Sequence, residues 1–258
     1  MSRAFVAGAT GYTGREVVRA LVARGVEAVA HVRPQSQNLA VVLAELAADG
    51  ALTDTTPWED EPLQGTLLKH RPDFVFALLG TTRARAAAAR RAGAPRESYD
   101  SVDYGLTAML LRASVACASR PRFIYLSSLG AGRPSSNAYL SARYRAEADV
   151  RASGLPYAIA RPSFITGSDR RESRPLERAA ATVADAALGV VAHLGGDSLR
   201  ARYASMSAWE LAAALVSLAL DEAAPSVVAE TADLRARATA ARPGDKGASS
   251  PGAPVGFV

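Results

Sequence analysis

From residue 4 onward the chain alternates short apolar runs with longer stretches in which apolar residues return every three or four positions. That is the pattern of buried strands and the helices that cover them. Residues 4–7 predict a first strand, and 13–24 a helix with Val17, Val18, Leu21 and Val22 on its inner face. A second strand follows at 28–32, then Leu39, Val42, Leu43 and Leu46 at helical spacing, then a short third strand at 51–53. Residues 74–79 are a continuous apolar run, opened by Pro72-Asp73 and stopped by Gly80, which predicts a strand buried on both faces. The alanine- and arginine-rich stretch 81–96 reads as a loop with a helical turn. A long helix is expected over 101–119, with Leu106, Met109, Leu110 and Ala113 inward. Strands at 123–126 and 157–160 flank a helix at 139–153. Beyond Pro162 the alternation loosens into two alanine-rich helices, 176–188 and 208–220, with a short strand at 201–204 between them. From Arg242 the chain is mostly Pro, Gly, Ser and Ala, the composition of a disordered tail. Strands alternating with helices predict an α/β fold, a doubly wound parallel sheet with a small, mostly helical C-terminal addition. One domain over 1–241 is expected, with its substrate-side additions mainly in 162–225.

Composition narrows the function classes. No apolar run approaches the roughly 18 residues needed to span a bilayer, and the first residues run straight into the first strand, leaving no signal peptide, so a cytoplasmic protein without membrane contact is expected. The formal net charge is +5, yet lysine occurs only at Lys69 and Lys246, so arginine supplies nearly all the basic residues. An excess of arginine with alanine reads as the coding bias of a GC-rich genome. The densest basic stretch, 83–96, has no interleaved aromatics on which bases could stack, so no nucleic-acid partner is expected. The lone cysteine, Cys117, lies in an apolar helical pattern and reads as core. The scattered His31, His70 and His193 do not assemble a metal-ligand spacing, so no metal is expected.

Chemistry first appears at Gly8-Ala9-Thr10-Gly11-Tyr12-Thr13-Gly14, placed between a strand and a helix. Such a turn needs residues without Cβ so that backbone can approach a pyrophosphate, and the helix start offers free N–H groups to it. This predicts a Rossmann-type dinucleotide site with Gly8, Thr10, Gly11, Tyr12, Thr13 and Gly14 at the cofactor. An NAD enzyme places an acid at the second strand's end to accept from the ribose 2′-hydroxyl, roughly 20 residues after the glycines. Here the stretch is His31-Val32-Arg33-Pro34. A guanidinium can hold a 2′-phosphate that a carboxylate would repel, so Arg33 points to NADP(H). Arg83, after the 74–79 strand, is a candidate second clamp on the adenine side.

The fifth strand ends in Leu126-Ser127-Ser128-Leu129-Gly130, and strand carboxyl ends face the ligand crevice of an open α/β sheet. Tyr139 and Arg143 follow on a helix at i, i+4, on one face. Together with GATGYTG, these residues resemble the short-chain dehydrogenase/reductase superfamily in its extended and atypical branches. LGTTR at 79–83, SxGA at 128–131, SSNxYL at 135–140 and ARP at 160–162 resemble most closely the Tat-interacting-protein group of NADP-binding oxidoreductases. The resemblance spans about residues 1–225. It implies that Tyr139 exchanges a proton with the substrate oxygen during hydride transfer, and that Ser128 holds that oxygen, with the neighbouring Ser127 as the fallback for that role. It places Leu79, Gly80, Thr81, Arg83, Ser127, Pro162 and Ser163 around the cofactor. The family has a lysine where this chain has Arg143. Arginine keeps a cation near the phenol, which favours phenolate, but it cannot deprotonate and is bulkier and planar.

The sequence thus predicts an NADP(H)-dependent oxidoreductase acting on a carbonyl or alcohol, a small-molecule substrate. A non-catalytic NADPH-binding regulator is the alternative, favoured by Arg143. A sugar-nucleotide epimerase comes third, because few residues follow Pro162. The substrate pocket is expected from the irregular segments 83–99, 131–138 and 164–175, and oligomeric state is left open between monomer and homodimer.

Overall fold

The computed structural model describes residues 1–81, 98–166 and 205–241 of the 258-residue chain. Residues 82–96 of the expected loop, with Arg83, the expected helix 176–188, the strand 201–204 and the tail from Arg242 lie outside the described residues.

The first strand, β1 (Arg3–Ala7), leads through the glycine turn into α1 (Tyr12–Val22), followed by β2 (Glu27–His31), α2 (Leu39–Ala48), β3 (Leu52–Asp54), α3 (Asp60–His70) and β4 (Phe74–Ala77). A π-helical segment (Tyr99–Leu106) then runs directly into α4 (Thr107–Val115). Next come β5 (Arg122–Leu126), α5 (Ala138–Ala152), β6 (Tyr157–Arg161) and the two-residue strands β7 (Ile165–Thr166) and β8 (Met206–Ser207), which pair with each other. The described chain ends with α6 (Ala208–Leu220), β9 (Ser226–Glu230) and α7 (Thr231–Ala240).

The sheet is parallel throughout, in the order β3-β2-β1-β4-β5-β6-β9. Chain order reverses between β1 and β4, so the crevice of this Rossmann-type fold opens at the carboxyl ends of those two strands. Side chains alternate strictly between the two faces, which is why strands buried on both sides read as unbroken apolar runs. Ala4, Val6, Ala28, Ala30, Phe76 and Ile124 pack under α1 and α6, while Phe5, Ala7, Val29, Val75, Phe123 and Tyr125 pack under α3, α4 and α5. Helix α6 is buried almost all round, and Ser207 and Glu210 close its N-terminus as a reciprocal capping box.

Several elements differ from expectation. Helix α3 was not foreseen: only Leu63 and Leu67 are buried along it, and Pro62 and Gly65 disguise a two-contact helix. Strand β9 extends the C-terminal addition beyond helices, because its edge position leaves Ser226 exposed and blunts its apolar signal. Helix α7 buries only Thr231, Leu234 and Ala238. The expected helix over 101–119 starts earlier and begins with π-helical turns, a wider winding often found at functional sites. Cys117 is buried, as its apolar context implied, with its thiol directed at the Leu67 carbonyl.

Candidate functional site

On the β1 side the site is built from backbone. Gly8 sits at φ +89°, and a Cβ on it would lie 2.6 Å from the Leu78 carbonyl oxygen at the end of β4. The Gly11 amide donates to the Gly8 carbonyl at 2.9 Å and closes the turn. A Cβ on Gly14 would fall 2.1 Å from that same oxygen, so α1 presses onto the turn only because position 14 is glycine. The helix is capped by Gly11, which brings no side chain, and its first turn holds no acid. Neither the cap nor the first turn of α1 itself therefore places a carboxylate against its N–H groups and dipole. Thr10 is exposed, Thr13 is buried, and the Tyr12 hydroxyl lies 3.4 Å from the Thr166 carbonyl.

At the end of β2, Arg33 is half-buried and its carbonyl accepts from Ser36 in a turn. His31 beside it is buried, with Nε2 donating to the Thr56 carbonyl at 2.8 Å and its ring edge-on to Trp58. Burial pushes the His31 pKa down, so the ring is neutral at physiological pH.

On the other side, α5 carries the expected pair. Asn137 caps the helix, its side chain accepting from the Tyr139 and Leu140 amides at 3.0 and 3.2 Å. Tyr139 is half-buried in the first turn, its ring in edge contact with Tyr99 of the π-helical segment at 5.3 Å between centroids. The Arg143 guanidinium lies 5.2 Å from the Tyr139 ring centroid and 5.7 Å from that of Tyr125. Arg143 is itself buried, and its donors turn into the protein. Nη1 donates to the Leu126 carbonyl at 2.5 Å and approaches the Tyr125 hydroxyl at 3.4 Å. Nη2 donates to the Leu79 carbonyl at 3.0 Å and to Asp103 at 2.8 Å. Asp103 is fully buried and also accepts from the Thr81 amide at 2.9 Å. Burial pushes the Asp103 carboxyl up from its ordinary value, against the pull of Arg143 and that amide. Burial likewise pushes the Tyr125 phenol up to about 12, so it stays neutral.

The two serines at the end of β5 part company. Ser127 is buried and donates to Glu147 at 2.6 Å, so its hydroxyl is engaged below the crevice rather than offered as the neighbour of Ser128. Glu147, fully buried on α5, also receives Arg161 through Nε and Nη2 at 2.9 and 2.6 Å, and Arg151 at 2.8 Å. Burial alone would raise its pKa; hydrogen bonds from Arg161 and Ser127 and the charges of Arg161 and Arg151 overcome this and hold it below its ordinary value. Ser128 is half-buried at the strand end. Beyond it the Leu129 amide donates to the Pro162 carbonyl at 2.9 Å, which ties the β5 and β6 exits together; Ser163 follows, half-buried. Asp103 and Glu147 were not singled out from the sequence. The signal for Asp103 was an acid inside an apolar helical pattern, beside Val102 and three residues before Leu106. Among the described residues no group of three or more His, Cys, Asp or Glu could hold a metal, and no helix is long and apolar enough to cross a membrane.

Parallel strand order, a switch point at β1 and β4, and a glycine turn pressed against β4 define the class, a Rossmann dinucleotide-binding protein. A family described as NAD(P)H-binding matches residues 8–194, and the chain belongs to it. Two curated relatives are "Protein fmp52-1, mitochondrial" of Aspergillus terreus, 29% identical over 186 residues, and "Protein fmp52, mitochondrial" of Aspergillus clavatus, 32% identical over 190 residues. Each alignment covers 71% of this chain and 75% of the relative. Among solved structures, UDP-glucose 4-epimerase from Brucella ovis in complex with NAD is similar in fold, with a TM-score of 0.60, 17% identity, and 91% of this chain and 81% of that one covered. The family match agrees with the resemblance to short-chain dehydrogenase/reductases. The relatives' names overturn the cytoplasmic expectation: both are mitochondrial proteins by name, and an N-terminus that enters a strand at once is no guide to compartment.

Proposed function

We propose that this NAD(P)H-binding protein uses NADP(H), and that it is an oxidoreductase acting on a small carbonyl compound or alcohol. The observation that carries the reading is Tyr139, a half-buried phenol 5.2 Å from a guanidinium that also donates to the Leu126 carbonyl at the end of β5, two residues before Ser128. The Gly8–Gly14 turn and the α1 N-terminus would hold the pyrophosphate of a nicotinamide cofactor, which would supply or accept the hydride. In the reducing direction Tyr139 gives a proton to the substrate oxygen while Ser128 hydrogen-bonds that oxygen, leaving an alcohol. Arg33, half-buried just past β2 in a stretch, His31-Val32-Arg33-Pro34, that carries no acid of its own, supports the phosphorylated cofactor. The test is NADPH turnover across a panel of carbonyl compounds by the wild type and Tyr139→Phe. Turnover should fall by ~10²-fold or more, the scale of a general acid, with NADPH affinity unchanged. Wild type and variant that bind NADPH equally and are equally inert across the panel overturn the enzymatic reading.

A second reading, a non-catalytic NADPH-binding regulator, is favoured by one observation. The Arg143 donors are committed to Leu79, Leu126 and Asp103, where the family's lysine contacts the cofactor ribose.

A further inference from the structure

Position 143 holds an arginine, and the surroundings are fitted to an arginine. A guanidinium has five N–H groups. Four of them point at the Leu126 carbonyl, the Tyr125 hydroxyl, the Leu79 carbonyl and the Asp103 carboxylate, and Nε has no acceptor among the described residues. Space is made for the Nη2 end by Gly80: a Cβ there would lie 2.9 Å from Nη2 and 3.5 Å from Asp103 Oδ1. A flexible arginine tip could move aside, but this one is pinned by two hydrogen bonds at Nη2 alone. Asp103 completes the device by accepting from the Thr81 amide, so both flanks of Gly80 are tied to the same ion pair. The segment so fixed continues from Leu78, whose carbonyl faces the Gly8 turn across the switch point.

We propose that Gly80 and Asp103 are positioning residues, which hold Arg143 as a clamp across the β4 and β5 ends and thereby set the nicotinamide half of the crevice. Position 143 then serves the cofactor through the walls it fixes, without donating to the ribose through Nη1 or Nη2. A lysine could not replace it. One ammonium is a point donor that cannot span two strand carbonyls and a buried carboxylate in the planar arrangement a guanidinium provides.

The inference rests on the NADP(H) reading, and the test separates the two. Affinities for NADPH and for 2′,5′-ADP, which has the adenine half without nicotinamide, are measured on wild type, Gly80→Ala, Arg143→Lys and the double variant. Gly80→Ala and Arg143→Lys should each weaken NADPH by about tenfold, the scale of one charge-assisted hydrogen bond, and change 2′,5′-ADP by less than about twofold. The double variant should be no weaker than Arg143→Lys alone, because the lysine vacates the space that the alanine methyl enters. Additive losses, equal losses for both ligands, or no loss of NADPH affinity in Gly80→Ala overturn the clamp while leaving the cofactor reading intact. Failure of the wild type to bind either ligand overturns both. Should Gly80→Ala not fold, Asp103→Asn, which keeps the side-chain size, carries the same expectation for the two ligands and the same overturning result.

Discussion

A dinucleotide entering the crevice meets two walls made of different material. On the β1–α1 side it meets main chain: a turn whose glycines at 8 and 14 leave no room for a Cβ, and a helix end capped by a third glycine. On the α5 side it meets side chains standing on buried charge. Arg143 and Glu147, one helical turn apart, face different partners, Arg143 reaching Leu79, Leu126 and Asp103, and Glu147 reaching Ser127 and Arg161. The first wall is local and depends on absence of bulk. The second is assembled from the ends of β4, β5 and β6 and depends on every charge being satisfied. Perturbing the first should therefore cost binding before stability, and perturbing the second should cost stability before binding.

The largest effect is expected at the charged wall. Glu147→Gln keeps the volume of the side chain but leaves Arg161 with a neutral partner in a buried place, and breaking such a pair costs about 3–5 kcal/mol. Chemical denaturation at neutral pH measures it. The loss also has a pH signature. Glu147 is held below its ordinary value of 4.5, so its contribution is present above that value and is lost as pH falls through the lowered folded value. The stability gap between wild type and Glu147→Gln should thus close on acidification below about 4.5. A gap that is constant with pH would mean the carboxylate charge contributes nothing, and the contrast between the walls would fail.

At the backbone wall, Gly14→Ala puts a methyl 2.1 Å from the Gly8 oxygen, and the turn has to open to accept it. Overpacking of this kind costs about 1–3 kcal/mol. The larger signature should be NADPH affinity, because the displaced turn is the surface proposed for the pyrophosphate. Isothermal titration beside a melting curve separates the two effects. Full NADPH affinity in a folded Gly14→Ala variant would show that the turn is structural only.

The same division decides what could be read from the sequence. The glycine turn was legible because its parts lie within seven residues and each glycine answers one local demand. The parallel sheet was legible for a similar reason, through apolar runs that mark strands buried on both faces. Strand β9 escaped because an edge strand with an exposed first residue carries half the signal. The charged wall was only half visible. Tyr139 and Arg143 announce themselves at i, i+4, but the Arg143 acceptors come from positions 79, 103 and 126, and nothing in the local pattern says that an arginine on an alanine-rich helix turns inward. Ser127 and Ser128 look equivalent as neighbours. Only the approach of Glu147, 20 residues on, engages one and leaves the other at the strand end.

The smallest expected effect lies where neither wall is disturbed. Arg33 stands at the rim, half-buried, and its carbonyl accepts from Ser36 in a turn that a substitution of the side chain does not remove. Standing on neither wall, Arg33→Glu should shift the melting temperature less than Glu147→Gln or Gly14→Ala does. Its consequence is confined to the cofactor's adenine end. NADPH carries a 2′-phosphate that a guanidinium can grip, and NADH carries a hydroxyl that a carboxylate can accept from. For a partly solvated contact the loss sits at the low end of charge-assisted bonds, about 1.5 kcal/mol or roughly tenfold in NADPH affinity. NADH affinity should hold or improve, narrowing the preference between the two cofactors. Paired titrations of wild type and variant with both cofactors measure the ratio directly. Equal affinity of the wild type for NADPH and NADH would remove Arg33 from the site and leave the choice of cofactor to groups on the other wall.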